Sequence, residues 1–192
     1  MKITPERCVN KDDIELIRLS LENLDYFSCL YQRYEAELLR YIKRISGIGH
    51  DESEDILQEA FIKIWRNLNE FNSDMKASSW IYRIVHNETV SHIRKKKSFG
   101  KDKTHDIELF RNILAEDQEI HLDTEERFDS VQKVLEKLPM KYKEVLVLKF
   151  LEKKSYIEIS DILKIPEGTV AIRINGAKKS SGITLKAKIN IL

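Results

Sequence analysis

Residues 155–179, SYIEISDILKIPEGTVAIRINGAKK, contain a short apolar-striped segment, a turn, and a second segment with polar outward positions. The spacing meets the steric needs of a helix-turn-helix. Ile157, Ile162 and Leu163 can face a core. Ser160 is small enough for two helices to cross closely, and Pro166 follows the turn and presets φ for the next helix. Glu167 and Thr169 suit the first turn of that helix. Val170 and Ile174 then point inward, leaving Thr169, Ala171, Arg173, Asn175 and Lys178 outward. In such a motif the second helix lies in the major groove with its N-terminal residues near base edges. Arg173 and Asn175 have the chemistry for guanine or adenine edges. Lys178 and Lys179 suit phosphates. The bland alternative is a helical hairpin inside a small core. The coincidence of turn, small residue and polar face favours duplex DNA.

Upstream, residues 80–97 read WIYRIVHNETVSHIRKKK. Trp80, Ile81, Ile84, Val85 and Ile93 mark a buried face. Trp80, Tyr82, Arg83, His86, Asn87 and the run Arg94–Lys97 combine stacking surfaces, an amide and cations. Single-stranded nucleic acid is held this way, with bases stacked on rings and a basic track along the backbone. Trp80 fits a core position as well as a stacking platform. Arg94–Lys97 also suits a solvated helix end, where cations favour the dipole. His86 and His92 are six residues apart, off the i, i+4 spacing that puts a metal on one helix face, and read as surface residues.

Residues 51–65, DESEDILQEAFIKIW, start a third helix, for which Asp51 or Ser53 is the expected cap. Its apolar stripe is Ile56, Ala60, Phe61, Ile64 and Leu68. Asp55, Gln58, Glu59, Lys63 and Arg66 leave a polar face, with Phe61 and Trp65 at its border. An acidic face with apolar anchors can bind a protein. Taken alone, the segment reads rather as a plain amphipathic helix with pairs such as Glu59–Lys63.

Helical periodicity dominates the remainder, so the expected fold is all-α. Asp12–Leu24 and Tyr26–Ser46 are predicted helices, the second ended by Gly47 and Gly49. Ser78 or Ser79 is the expected cap of the helix that starts near Trp80. Residues 1–97 form one expected domain. Residues 98–123 read as a flexible acidic linker, with a short helix at Ile107–Leu114. Residues 124–192 form a second domain, a four-helix unit. Its first helix carries Val131, Val134, Leu135 and Leu138. Its second opens with Pro139 in the first turn and carries Val145, Leu146, Leu148 and Leu151.

The 192 residues carry a net charge of only +1, but the charge is segregated. Residues 51–59 hold five acids and no base, and 94–97 are four consecutive bases, which suggests separate faces for separate partners. Cys8 and Cys29 form neither a metal-ligand spacing nor a disulfide framework, which suits a reducing cytosol. No apolar run approaches the roughly 20 residues of a membrane span. The expectation is a cytoplasmic protein without membrane insertion. No acidic cluster with metal geometry, phosphate-cradling glycine loop or nucleophile–base pair stands out. Neither enzymatic activity nor a cofactor or metal site is expected.

Four stretches, in this order, resemble the extracytoplasmic-function (ECF) sigma factors of the bacterial sigma-70 family. They are FSCLYQRYEAELLRYIKRI (27–45), DESEDILQEAFIKIW (51–65), SSWIYRIVHNETVSHIRKKK (78–97) and LPMKYKEVLVLKFLEKKSYIEISDILKIPEGTVAIRI (138–174). The resemblance implies a sigma factor that brings core RNA polymerase to promoters and melts DNA for transcription initiation. Asp55, Gln58, Glu59 and Phe61 match the motif that docks on core polymerase. Phe71 opens the loop that cradles a base flipped from the −10 element. Trp80, Arg83 and Asn87 match the surface that melts that element, and Tyr82, Arg94 and Lys95 extend it. Thr169, Ala171, Arg173, Asn175, Lys178 and Lys179 would face the −35 duplex. An anti-sigma protein is an implied partner, and the acidic linker would thread toward the RNA exit path.

The chain also departs from the family. Lys164 stands where the family usually has a turn glycine, and implies a left-handed or distorted residue. Ala171, Ile172 and Gly176 replace positions that are commonly Lys, small polar and Arg. Gly176 should cost about 1 kcal/mol of helix stability relative to alanine. Weaker or altered −35 binding is expected, with the salt slope falling by about 0.9 per lost phosphate contact. The alternative function is a stand-alone helix-turn-helix regulator.

Overall fold

The computed structural model describes residues 8, 10–99, 135 and 138–180; for 97–99 and 178–180 it describes the backbone alone. Among these residues the chain is all-α, with seven α-helices and no strand. It divides into two compact units, Met1–Arg94 with Asp161–Lys164, and Lys95–Ser160 with Ile165–Leu192.

In the first unit α1 spans Asp13–Glu22, α2 Asp25–Ser46, α3 His50–Arg66 and α4 Ala77–Phe99. Asp12 caps α1 by accepting from the Glu15 N–H at 2.7 Å. Gly47 ends α2 at φ 71°, a left-handed conformation that costs glycine nothing. Gly49 caps α3, so Asp51 and Ser53 lie inside its first turn instead of capping it. The Ser53 hydroxyl donates back to the Gly49 carbonyl at 2.7 Å, and the first-turn acids complement the helix dipole. α4 begins at Ala77, before either expected serine cap, so Ser78 and Ser79 are helical.

The core of this unit follows the predicted stripe of α3 and part of that of α4, where Ile84 and Ile93 are only half-buried. Leu30, Leu38, Ile42 and Ile45 of α2 and Ile56, Ala60, Phe61 and Ile64 of α3, two helices that pack together, are buried, and Ile81 and Val85 of α4 are equally so. Burying each large side chain contributes about 1.5–3 kcal/mol, so the apolar period rather than propensity holds these helices. Asp13 ties α1 to α2, accepting from Tyr34 Oη at 2.5 Å and Arg33 Nη1 at 2.6 Å. Arg33 also donates to the Cys8 and Lys11 carbonyls at 3.0 and 2.8 Å. These bonds hold Cys8 and Lys11 against α2, and Cys8 and Cys29 are joined by a disulfide. The expectation that they stay unpaired is corrected.

In the second unit α5 spans Met140–Leu146 and runs into a π-helical turn at Val147–Leu151; α6 spans Tyr156–Leu163 and α7 Glu167–Ser180. Pro139 is the N-cap of α5 and not part of its first turn. Val145, Leu146 and Leu148 are buried, as are Leu135 and Leu138, while Leu151 is half-buried. Val131, Val134, the linker 98–123 and its expected helix Ile107–Leu114 lie outside the described residues. Three helices of the expected four-helix unit are therefore described.

α6 starts with a reciprocal cap. Ser155 N–H donates to Glu158 Oε2 at 2.8 Å, and Glu158 N–H donates to Ser155 Oγ at 3.2 Å. Lys164 adopts φ 53° after α6, the left-handed residue that its place in the turn implied. Ser160 does more than allow close approach: its hydroxyl donates to the Ile165 carbonyl at 2.6 Å and clamps the turn. Gly176 also has a structural reason. A Cβ there would stand 3.2 Å from Cε1 of Tyr142, so the bare backbone admits the ring, which offsets the propensity lost by omitting alanine.

Candidate nucleic-acid and protein interfaces

The outward face of α3 carries Asp55, Gln58 and Glu59, all exposed. Ile62 continues the same i, i+3, i+4, i+7 row and is half-exposed. Sequence reasoning missed this residue, although an isoleucine opposite the apolar stripe was the available signal. Phe61, in contrast, is buried. Its ring packs edge-on to Tyr31 at 4.7 Å and Phe27 at 6.0 Å, so it shapes the face from beneath and does not line it. Trp65 sits at the border and packs on Phe27 at 5.2 Å. Lys63 does not pair with Glu59 as expected but with Glu88 of α4, whose carboxylate is buried. The acids of this face thus stay outward while the base is drawn to the neighbouring helix.

Along α4 the expected DNA residues separate. Asn87, Arg94 and Lys95 are exposed. Arg83 is half-buried, its Nη2 3.0 Å from Met75 Sδ. Trp80 proves to be core: it is 7% exposed and packs edge-on against half-buried Phe71 at 5.4 Å. Tyr82 does not share the exposed surface of Asn87, Arg94 and Lys95. It is fully buried, packs on Tyr41 at 5.1 Å and donates from its hydroxyl to Glu37 Oε1 at 2.5 Å. A phenol can be buried where a carboxylate accepts its hydrogen bond, so ring chemistry alone did not predict exposure.

His86 is likewise corrected from surface to core. Its Nδ1 lies 2.8 Å from Tyr41 Oη, and burial lowers its pKa to about 4, helped by the positive charge of Arg94. The ring is therefore neutral in the fold at neutral pH. His92 is half-buried, with Nε2 2.7 Å from Glu52 Oε1. Among the described residues no three His, Cys, Asp or Glu side chains gather as metal ligands.

In the helix-turn-helix, Val170, Ile174 and Ala177 are buried on one side of α7, which packs on α5, and Ile159 and Ile162 of α6 are buried as well. Ile157, expected inward, is 61% exposed, and Ile159 takes its place at the right spacing from Ile162. On α7, Asn175 is exposed, Thr169 and Ala171 are half-buried, and the side chains of Lys178 and Lys179 lie outside the described atoms. Arg173 is half-buried and paired. Its Nη1 is 2.5 Å from Glu144 Oε1 on α5, a pair that ties α7 to the core. The most exposed large apolar side chain of the described residues is Ile172, at 72%. From the sequence it stands out only as a departure from a family pattern.

Residues 30–99 match the family model of Sigma-70 region 2, and residues 128–180 that of Sigma-70, region 4. The ECF RNA polymerase sigma factor SigW of Bacillus subtilis is 36% identical over 166 residues, covering 81% of this chain and 87% of its own length. Among solved structures, CnrH in complex with the cytosolic domain of CnrY matches with a TM-score of 0.67 at 22% identity, over 91% of this chain and 97% of that one. The sigma factor RpoE in complex with the anti-sigma factor NepR from Bartonella quintana matches with a TM-score of 0.61 at 21% identity, over 86% and 97%. Among the described residues no helix is long and apolar enough to cross a membrane.

Proposed function

The chain belongs to the ECF sigma factors of the sigma-70 family, and from that membership we propose that it directs core RNA polymerase to specific promoters through two DNA-reading units. The observation that carries this is the ordered pair of regions, 2 then 4, on one chain with a SigW relative along most of its length. Residues 1–97 bind the polymerase and the −10 element, 98–123 link, and 124–192 bind the −35 element. Asp55, Gln58 and Glu59 offer carboxylates and an amide to the polymerase, with Ile62 as an apolar anchor.

Asn87 then reads an unstacked base, and Arg94 and Lys95 follow the phosphates. Phe71, Trp80 and Tyr82 shape that surface from behind. Flipping a base costs a few kcal/mol, which these contacts offset so that transiently opened DNA is trapped. The two units gain from each other because docking on one polymerase makes the second contact intramolecular. The chain itself contributes no catalysis and works in the cytoplasm, with an anti-sigma protein as its regulator. A stand-alone helix-turn-helix regulator is not favoured, since it leaves the region 2 match without a role.

Asn87→Ala tests the reading. Asn87 is exposed, so its truncation spares the fold. Permanganate reactivity of promoter thymines in the reconstituted holoenzyme should fall roughly tenfold, about what one well-made hydrogen bond to a base supplies, with polymerase affinity unchanged. Undiminished opening would remove Asn87 from the mechanism.

A further inference from the structure

We propose that α7 reads an A·T step of the −35 duplex with Ile172 against a thymine C5 methyl and Asn175 on an adenine edge. The inference rests on the −35 reading of the second unit. Three observations carry it. Ile172 is 72% exposed on a helix whose opposite face is anchored by buried Val170, Ile174 and Ala177. A β-branched side chain in a helix is held near one χ1 rotamer, so it presents a fixed methyl surface and loses little freedom on contact.

Arg173, the residue that would read guanine, is held by Glu144 at 2.5 Å. Asn175 is exposed three residues after Ile172, on the same face, about 5–6 Å away between Cβ atoms. That separation spans adjoining base pairs. In the major groove the apolar group available to an exposed aliphatic side chain is the thymine methyl, while a carboxamide pairs bidentately with adenine N6 and N7. The replacement of a small polar residue by Ile172 thus changes specificity and does not simply lose a contact.

The test uses the full chain with core polymerase, on fragments recovered from a promoter pool. Each −35 thymine is replaced in turn by 2′-deoxyuridine, which lacks only the methyl. At one position the half-saturating holoenzyme concentration should rise about fourfold, the equivalent of one buried methyl group. Ile172→Ala should abolish that penalty and Ile172→Val retain it, with thermal unfolding unchanged in both because the side chain is exposed. Asn175→Ala should relax the adenine preference at the adjoining pair. If uridine has no effect at every position, or penalises Ile172→Ala equally, the inference is wrong, and Ile172 faces a protein or solvent. If no fragment is recovered at all, the promoter reading on which it rests fails as well. Selective but methyl-insensitive recovery removes this inference alone.

Discussion

Trp80→Ala should lower the stability of the first unit by about 3–5 kcal/mol, the usual range for removing a buried aromatic side chain. The indole is 7% exposed and packs edge-on against Phe71 at 5.4 Å. Its chain neighbours Ala77 and Ile81 are themselves buried, and a cavity in a packed core is not cheaply refilled. Several kilocalories are a large share of the stability of a unit this size. Loss of promoter opening in this variant would therefore report unfolding and not a lost stacking contact. Trp80→Phe, which keeps a ring, should retain most of the stability and most of the opening. Urea unfolding followed by circular dichroism decides it. A loss below about 1 kcal/mol would mean that the site is as tolerant as a surface position.

Acidification from pH 6.5 to 4 should remove about 3 kcal/mol of stability through His86 alone, at about 1.4 kcal/mol per unit of pKa difference. Burial lowers its folded pKa to about 4 from the ordinary 6.5. Between those values the unfolded chain binds a proton that the folded chain does not. Stability is thus full above the unfolded pKa, falls as pH drops toward 4, and changes no further below it through this group. His86→Gln keeps polar atoms opposite Tyr41 Oη but does not titrate in this range. Subtracting its pH–stability curve from that of the unaltered chain isolates the effect from the carboxylates. Superimposable curves would mean that the imidazole is hydrated or charged in the fold.

Much of this architecture is legible in the apolar period. The stripe Ile56, Ala60, Phe61, Ile64 and Leu68 is buried throughout, and Val170 and Ile174 face inward as their spacing dictates. What periodicity cannot supply is how wide the buried arc is. α4 is covered on more than one side, so Tyr82 and His86 go inside with Trp80. Their partners Glu37 and Tyr41 are each 45 residues away, on α2, and nothing local announces them. Arg173 follows the same logic: Glu144, 29 residues earlier, removes it from the free surface. The Cys8–Cys29 bond joins residues 21 apart, and the Arg33 hydrogen bonds to the Cys8 and Lys11 carbonyls beside it are no more visible in the local sequence. The exposure of the polar rows Asp55, Gln58, Glu59 and Asn87, Arg94, Lys95 was readable because charged and amide side chains on a helix are costly to bury. Phe61 and Trp80 carry both a core and an interface reading and Tyr82 only an interface one, since a ring serves a core and a stacking surface with the same chemistry.

The most direct measurement is run-off transcription with purified core polymerase on a pool of promoter fragments, with and without this protein. A sigma factor predicts protein-dependent transcripts from a discrete subset of fragments sharing two spaced elements. Selective duplex binding by the protein alone, with no transcript on adding polymerase, would contradict it.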